Sequence, residues 1–314
     1  MFDRRRLRLL PLSQRTHDMS AETILPLTAR DGSKFMETAR DIIAARQSGS
    51  SVILMIGGHV LRSGVQRYLI NMMEAGFISC IAVNGAVVIH DYELALIAAT
   101  TESVAHYIKD GQFGLWTETG QINDIINSAY ESDKHIGFGE AVGRAVFEGN
   151  FAHKNISILA AAFRLKIPVT VHVGIGYDII HEHPNCDGAA TGALSYNDFL
   201  KFVSVVQRLD GGVLMSFGSA VMAPEVFLKA LSMARNAASQ ENRRITNFTT
   251  VVCDLHDLGD TNTEPSKDCA AYYFRPLKTL LLRTVADGGR GRYIRAAHAE
   301  SIPALWSAIR ELSE

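Results

Sequence analysis

Short apolar runs alternate with amphipathic stretches along most of this chain, and that alternation predicts its architecture. Residues 33–47 place Phe35, Ala39, Ile42 and Ile43 at helical spacing, and Gly49 follows as a stop signal. Ser51-Val52-Ile53-Leu54-Met55-Ile56 then runs apolar up to Gly57. A run so short and so rich in β-branched residues predicts a strand buried on both faces of a parallel sheet. The pattern recurs. A helix over 63–75 leads to a strand over 78–83 ending at Asn84-Gly85, and the next helical stretch begins at Asp91. Residues 155–165 predict a helix, 168–173 a strand ending at Gly174, 199–209 a helix, and 212–217 a strand ending at Gly218. A helix from Pro224, a fifth strand over 245–253 and a closing helix over 303–312 complete the series. Strands alternating with helices indicate βαβ units, hence an α/β, Rossmann-like, doubly wound fold with a mostly parallel sheet.

Two stretches depart from this rhythm. Residues 101–150, with Phe113-Gly114-Leu115-Trp116 and a glycine-rich segment over 137–143, are less regular and predict an insertion packed beside the sheet. Residues 1–30 open with Phe2-Asp3-Arg4-Arg5-Arg6-Leu7-Arg8 and predict a basic arm, either mobile or docked on a neighbouring subunit. No internal repeat or Pro/Ser-rich linker divides the rest, so 31–314 reads as a single domain.

Composition narrows the partners. With 314 residues, 47% hydrophobic and 20% charged, the chain can bury a sizeable core, which excludes disorder by composition. A net charge of -2 gives no reason to expect nucleic acid or an anionic membrane as a partner. No run of about 18 apolar residues predicts a transmembrane helix. Cys80, Cys186, Cys253 and Cys269 lie far apart with no CxxC pair, which fits reduced thiols in a cytoplasmic protein. A small-molecule substrate is the partner that remains.

In an open parallel sheet, ligands sit beyond the carboxyl ends of the strands. Four such ends finish in glycine: Gly57-Gly58-His59, Asn84-Gly85, Gly174-Ile175-Gly176-Tyr177-Asp178 and Gly218-Ser219. Glycine there either lets backbone approach a phosphate or ribose, or merely makes each turn. No GxGxxG joins a strand to its helix; the loose match over 137–143 has no strand before it. In His90-Asp91-Tyr92-Glu93, the acids Asp91 and Glu93 either cap a helix or hold ribose or a cationic substrate. His172, His181 and His183, with Asp178, Glu182, Cys186 and Asp187 nearby, form an alternative metal site or simply a polar loop. Asp254, Asp257 and Asp260 offer a cation site or a solvated turn. Lys278, near Leu277 and Leu280, is a candidate Schiff-base lysine or a snorkelling surface residue.

The order of these segments resembles that of the deoxyhypusine synthases. The stretch over 51–64 through Val83-Asn84-Gly85-Ala86-Val87-Val88-Ile89-His90-Asp91-Tyr92-Glu93 is similar to the family's first two strands and their loops. Ile167-Pro168-Val169 with Gly176-Tyr177-Asp178 resembles its Gly-Asp loop, and 212–218 with Val221 resembles its glycine-rich nucleotide loop. The resemblance implies an NAD-binding fold, transfer of an aminobutyl group from spermidine to a protein lysine, and active sites shared within a homotetramer or homodimer. It implies that Gly57, Gly58, His59, Asn84, Gly85, Gly218 and Ser219 line NAD, that Asp91, Glu93 and Asp178 hold ribose or a cationic amine, and that Lys278 traps an imine. The family's His pair is replaced here by Ala223-Pro224-Glu225, its Trp-Gly-Lys motif is absent, and the Gly-Asp loop is shorter. Two alternatives stand beside this reading: a metal-dependent hydrolase or lyase using the histidine cluster, and a non-catalytic ligand-binding relative.

Overall fold

The computed structural model describes residues 2–314. Among these residues eight strands appear in chain order: β1 (Met19–Ser20), β2 (Val52–Ile56), β3 (Cys80–Val83), β4 (Ala99–Thr100), β5 (Val169–Val171), β6 (Val213–Phe217), β7 (Thr249–Asp254) and β8 (Arg290–Arg295). β1 and β4 form a small antiparallel ribbon. The other six make one sheet in the order β5-β3-β2-β6-β7-β8, with every pairing parallel. This is the Rossmann-like, doubly wound sheet that the alternating pattern predicts.

The pleat sorts each apolar run between two cores. Val52, Leu54 and Ile56 of β2 join Val213, Met215 and Phe217 of β6 on one face, while Ile53, Met55 and Leu214 point to the other. Helices α1 (Met36–Ser48), α2 (Gly58–Arg62), α3 (Gln66–Glu74) and α4 (Gly85–Ile97) come first. A single turn, α5 (Val104–Tyr107), leads to α6 (Thr117–Ser132), α7 (Phe138–Glu148) and α8 (Ile158–Leu165). Apart from α5, these helices supply the first core. The second core draws on α9 (Gly188–Val206), α10 (Met222–Gln240) and a π-helical segment, Leu277–Arg283, preceded by the short α11 (Ala270–Tyr273). The closing α12 (His298–Ser313) returns to the first face. No helix among the described residues is long and apolar enough to cross a membrane.

Several expectations are corrected. Residues 101–150 are no irregular insertion: α6 and α7 both pack Ile122, Ile126, Phe138 and Val142 into the first core. α4 starts at Gly85, six residues before the predicted start, because the strand-like Val87-Val88-Ile89 is buried on a helix instead. The sixth strand, β8, escapes a search for apolar runs, since only Ile294 within it is buried. Its arginines face acids instead: Arg292 and Arg290 lie 2.5 and 3.6 Å from Asp41, and Arg295 lies 2.8 Å from Asp257.

The expected basic arm is shorter than 1–30. Leu10 donates its N–H to the Leu115 carbonyl (3.1 Å), Leu12 is buried, and β1 pairs with β4. Residues 10–24 therefore pack on the domain, because Leu12, Met19 and Ile24 have apolar surface to bury. Arg4, Arg5, Arg6 and Arg8 remain exposed.

Candidate functional site

Because all six strands run parallel, their carboxyl ends share one rim. The chain builds outward from β2 to β3 and β5, then returns to the other side of β2 as β6. The switch point therefore lies between the loops Gly57-Gly58 and Gly218-Ser219, where open α/β sheets bind ligands. These loops touch. Gly57 donates its N–H to the Phe217 carbonyl (3.2 Å), and a Cβ on Gly57 would sit 2.1 Å from the Gly218 carbonyl oxygen. Gly218, at φ +60°, lies against His298, and Ser219 Oγ accepts the Ala223 N–H at the start of α10. A Cβ on Gly85 would meet an Asp178 carboxylate oxygen at 2.1 Å, and one on Gly58 would meet His90. Gly57, Gly58, Gly85 and Gly218 thus each have a protein neighbour, while Gly176 has none within 4 Å, and the open space lies beside them.

That space is a cleft of about 250 Å³. One wall is a stripe of α4, Ala86, Ile89, His90 and Glu93, whose spacing puts all four on one helical face. Tyr177, Asp178 and Ile179 from the loop after β5 line it as well, with Arg15, Arg62, Thr101, Glu102, Val104 and Phe113 completing the lining. Thr101 holds φ 65°, a left-handed conformation costly for a β-branched residue, and its buried Oγ1 has no partner. Glu102 accepts from Trp116 Nε1 (2.9 Å) and the Gly114 N–H (3.0 Å), and burial raises its carboxyl.

Helix geometry separates the two acids of His90-Asp91-Tyr92-Glu93. Asp91 points away from the cleft and accepts from Ser157 Oγ (2.5 Å) and the N–H groups of Ile158 (2.7 Å) and Leu159 (3.3 Å), which caps α8. Burial pushes it to about 6. Glu93 faces the cleft but is saturated. It pairs bidentately with Arg15 (2.9 and 2.7 Å) and accepts from Thr100 Oγ1 (2.7 Å) and Thr119 Oγ1 (2.6 Å). Neither acid is free to hold ribose. Asp178 differs: it is 7% exposed, and its Oδ2 has no partner. Asn84 Oδ1, next to Gly85, and His298 Nδ1, on the side chain beside Gly218, are likewise buried without partners.

The remaining candidates are dispersed. Exposed His59 has Arg62 as its neighbour, 3.4 Å from Nε2. Lys278 is buried on the π-helical segment, its ammonium 3.5 Å from the Tyr272 ring centroid, and it does not line the cleft. His172 packs edge-on against Phe199 and Phe202, and burial pushes it to about 4. His181 Nδ1 accepts the Gly176 N–H, and His183 Nε2 lies 2.8 Å from the Gly114 carbonyl. Among the described residues no three metal-ligating side chains converge, so the metal alternative has no ligand set. Asp254, Asp257 and Asp260 are engaged by His256, Arg295 and Thr263 respectively, which leaves a turn instead of a cation site. Sequence reasoning did not single out Arg15, Arg62, Thr100 or Thr101 as site residues; Arg15, Thr100 and Thr101 sit in no motif, Arg62 lies unremarked within the 51–64 stretch, and only the fold brings them to α4 and its cleft.

No protein-family model matches the chain, and no curated protein sequence matches it. Solved structures do. A Methanococcus maripaludis protein, provisionally described as LOR/SDH, is 15% identical and superposes with a TM-score of 0.52 over 94% of this chain and 74% of its own. AgrE in ternary complex with ornithine and NAD+ is 12% identical, with a TM-score of 0.50 over 92% of this chain and 34% of its own. This chain spans about a third of AgrE. An Entamoeba histolytica protein, provisionally described as a deoxyhypusine synthase, is 10% identical over 90% of each chain, at a TM-score of 0.48. At these identities the likeness is one of fold, and that fold is Rossmann-like.

The Asp178 carboxyl gives a first prediction. Burial pushes it to about 6 in the folded chain, against about 3.9 for a free carboxyl. The folded state therefore binds more protons between those values, so stability falls as pH rises from about 4 through 6 and stays reduced above. Asp178→Asn is expected to stabilise the fold by about 2–3 kcal/mol at pH 8 and by little at pH 4. Urea unfolding at the two pH values measures this, and an equal difference at both would refute the assignment.

Proposed function

We propose that this chain is an enzyme that binds NAD, or a related nucleotide, along the rim and acts on a small amine in the cleft. The observation that carries the reading is the pair of unpartnered buried oxygens, Asn84 Oδ1 and Asp178 Oδ2, at the start of α4 and beside an open cavity. Such groups cost about 1–3 kcal/mol each when left unpaired, so a ligand that completes them gains that interaction. In this reading Asp178 and Asn84 receive ribose hydroxyls, and the first N–H groups of α4 face a phosphate. Bound NAD would supply a hydride acceptor. The chain's own part is to orient the amine between the α4 stripe and Tyr177, and to exclude water with Ile89, Phe113 and Ile179. The NAD+ and ornithine of the AgrE complex support the reading through the shared fold. The aminobutyl transfer that the family resemblance implies is left out, since Lys278 does not line the cleft.

The reading extends to a homo-oligomer in the cytoplasm. Ile175 and Tyr177, 67% and 81% exposed, are apolar surface near the cleft that a second copy would cover.

Calorimetry with NAD+ tests the proposal: binding below millimolar is expected, weakened about tenfold (1.4 kcal/mol) by Asp178→Ala. No heat at millimolar NAD+ overturns it. One observation favours a second reading, a small-ligand binder without dinucleotide. Gly57, Gly58, Gly85 and Gly218 are already met by protein neighbours, and about 250 Å³ is small against the roughly 300–1,000 Å³ usual for ligand pockets. Binding of amines with no response to NAD+ would establish that reading instead.

A further inference from the structure

Four side chains, from α4, β4 and the loop before β1, form one hydrogen-bonded chain that ends in the cleft: Arg15, Glu93, Thr100 and His90. Its direction follows from counting protons. Glu93, held bidentately by a guanidinium, accepts only. The Thr100 hydroxyl has one hydrogen, and Glu93 Oε2 at 2.7 Å takes it. Thr100 Oγ1 must then accept from His90 Nδ1 at 2.9 Å. The ring proton of His90 therefore sits on Nδ1, and Nε2 carries a lone pair. Nε2 makes no hydrogen bond among the described residues and lies near Gly58, on a side chain that lines the cleft.

The surroundings keep that lone pair available. Burial pushes His90 down to about 4; Glu93 opposes this, while Arg62 and His59 from α2, and Arg15, add to it. Asp178, which lies against Gly85 at the start of the same helix, lines the cleft with His90. An imidazole so weakly basic accepts a hydrogen bond without taking the proton. With Arg15 paired to Glu93, the cleft keeps two carboxyls, Asp178 and Glu102, against one guanidinium, Arg62, a balance that favours a positively charged partner over a neutral hydroxyl.

We propose that His90 Nε2 is the hydrogen-bond acceptor for the ammonium group of the ligand, held in a single tautomer by the positioning residues Thr100 and Glu93. The proposal rests on the reading of the cleft as an amine site, and adds which atom meets the amine. Thr100, lying on the two-residue β4, thereby links the N-terminal ribbon to the ligand.

Nitrogen-detected NMR of the histidine rings tests it on the full chain. Wild type is expected to show His90 protonated at Nδ1 and bare at Nε2 at neutral pH. Thr100→Val should mix the tautomers, and Thr100→Ser should restore one. L-ornithine or putrescine should displace the Nε2 resonance, and His90→Ala should weaken their binding about tenfold while NAD+ affinity stays within about twofold. A proton on Nε2, an unchanged tautomer in Thr100→Val, or no displacement by either amine overturns the proposal. Failure of NAD+ to bind wild type would instead remove the dinucleotide reading and leave the tautomer result standing.

Discussion

Replacing Arg15 by leucine is expected to destabilise the folded chain by about 3–5 kcal/mol, the usual cost of stranding a buried charge. Arg15 and Glu93 have side chains only 1% exposed, so water cannot replace the lost guanidinium. Without it, the Glu93 carboxylate keeps two threonine hydroxyls as its only donors. Arg15 also lies over Trp116, 5.7 Å from the ring centroid, and donates Nε to His17 Nδ1 at 3.0 Å. The substitution should therefore loosen residues 10–24 together with the cleft wall. Arg15→Lys should recover little, because an ammonium cannot make the two parallel bonds. The double variant Arg15→Leu with Glu93→Gln should recover much of the loss, since no charge is then stranded. Urea unfolding midpoints measure all three, and a loss under about 1 kcal/mol in the single variant would refute the account.

The second large effect concerns Gly57→Ala. The added Cβ would lie 2.1 Å from the Gly218 carbonyl oxygen, a backbone atom that cannot swing aside. The two loops at the switch point must part, costing about 1–3 kcal/mol as overpacking does, and displacing both glycine turns. If the rim binds a nucleotide, NAD+ affinity should fall well beyond tenfold (1.4 kcal/mol) in calorimetry. Gly192→Ala is the control: nothing lies within 4 Å of its Cβ on α9, so a gain of about 0.5–1 kcal/mol and unchanged binding are expected. A Gly57→Ala variant as stable as wild type would show that the loops do not meet as described.

The sheet was legible in the sequence because parallel strands are buried on both faces. Val52–Ile56 and Val213–Phe217 have every residue buried, so their runs needed no partner to be recognised. β8 was not legible, because an edge strand carrying three arginines has no apolar signature. The start of α4 was misplaced for a related reason: β-branched residues favour strands until tertiary burial overrides them. Of the site, Asp178 and the glycine loops could be located because strand ends announce themselves. The difference in fate between Asp91 and Glu93 could not, since it depends on what α8 and Arg15 bring to each. Arg15 itself, seventy-eight residues from its partner, lies in a segment whose basic start suggests solvent.

The arginine-bearing border of the sheet has a consequence for crowded solutions. Arg290 and Arg295 are exposed along an outer strand whose next neighbour would have to be supplied by another molecule. Any such newcomer would bring its own backbone against a row of guanidiniums already engaged by Asp41 and Asp257. Growth of the sheet from molecule to molecule, the first step towards a fibril, is thereby discouraged without a covering helix, and the charges that hid β8 from view are the ones that guard it.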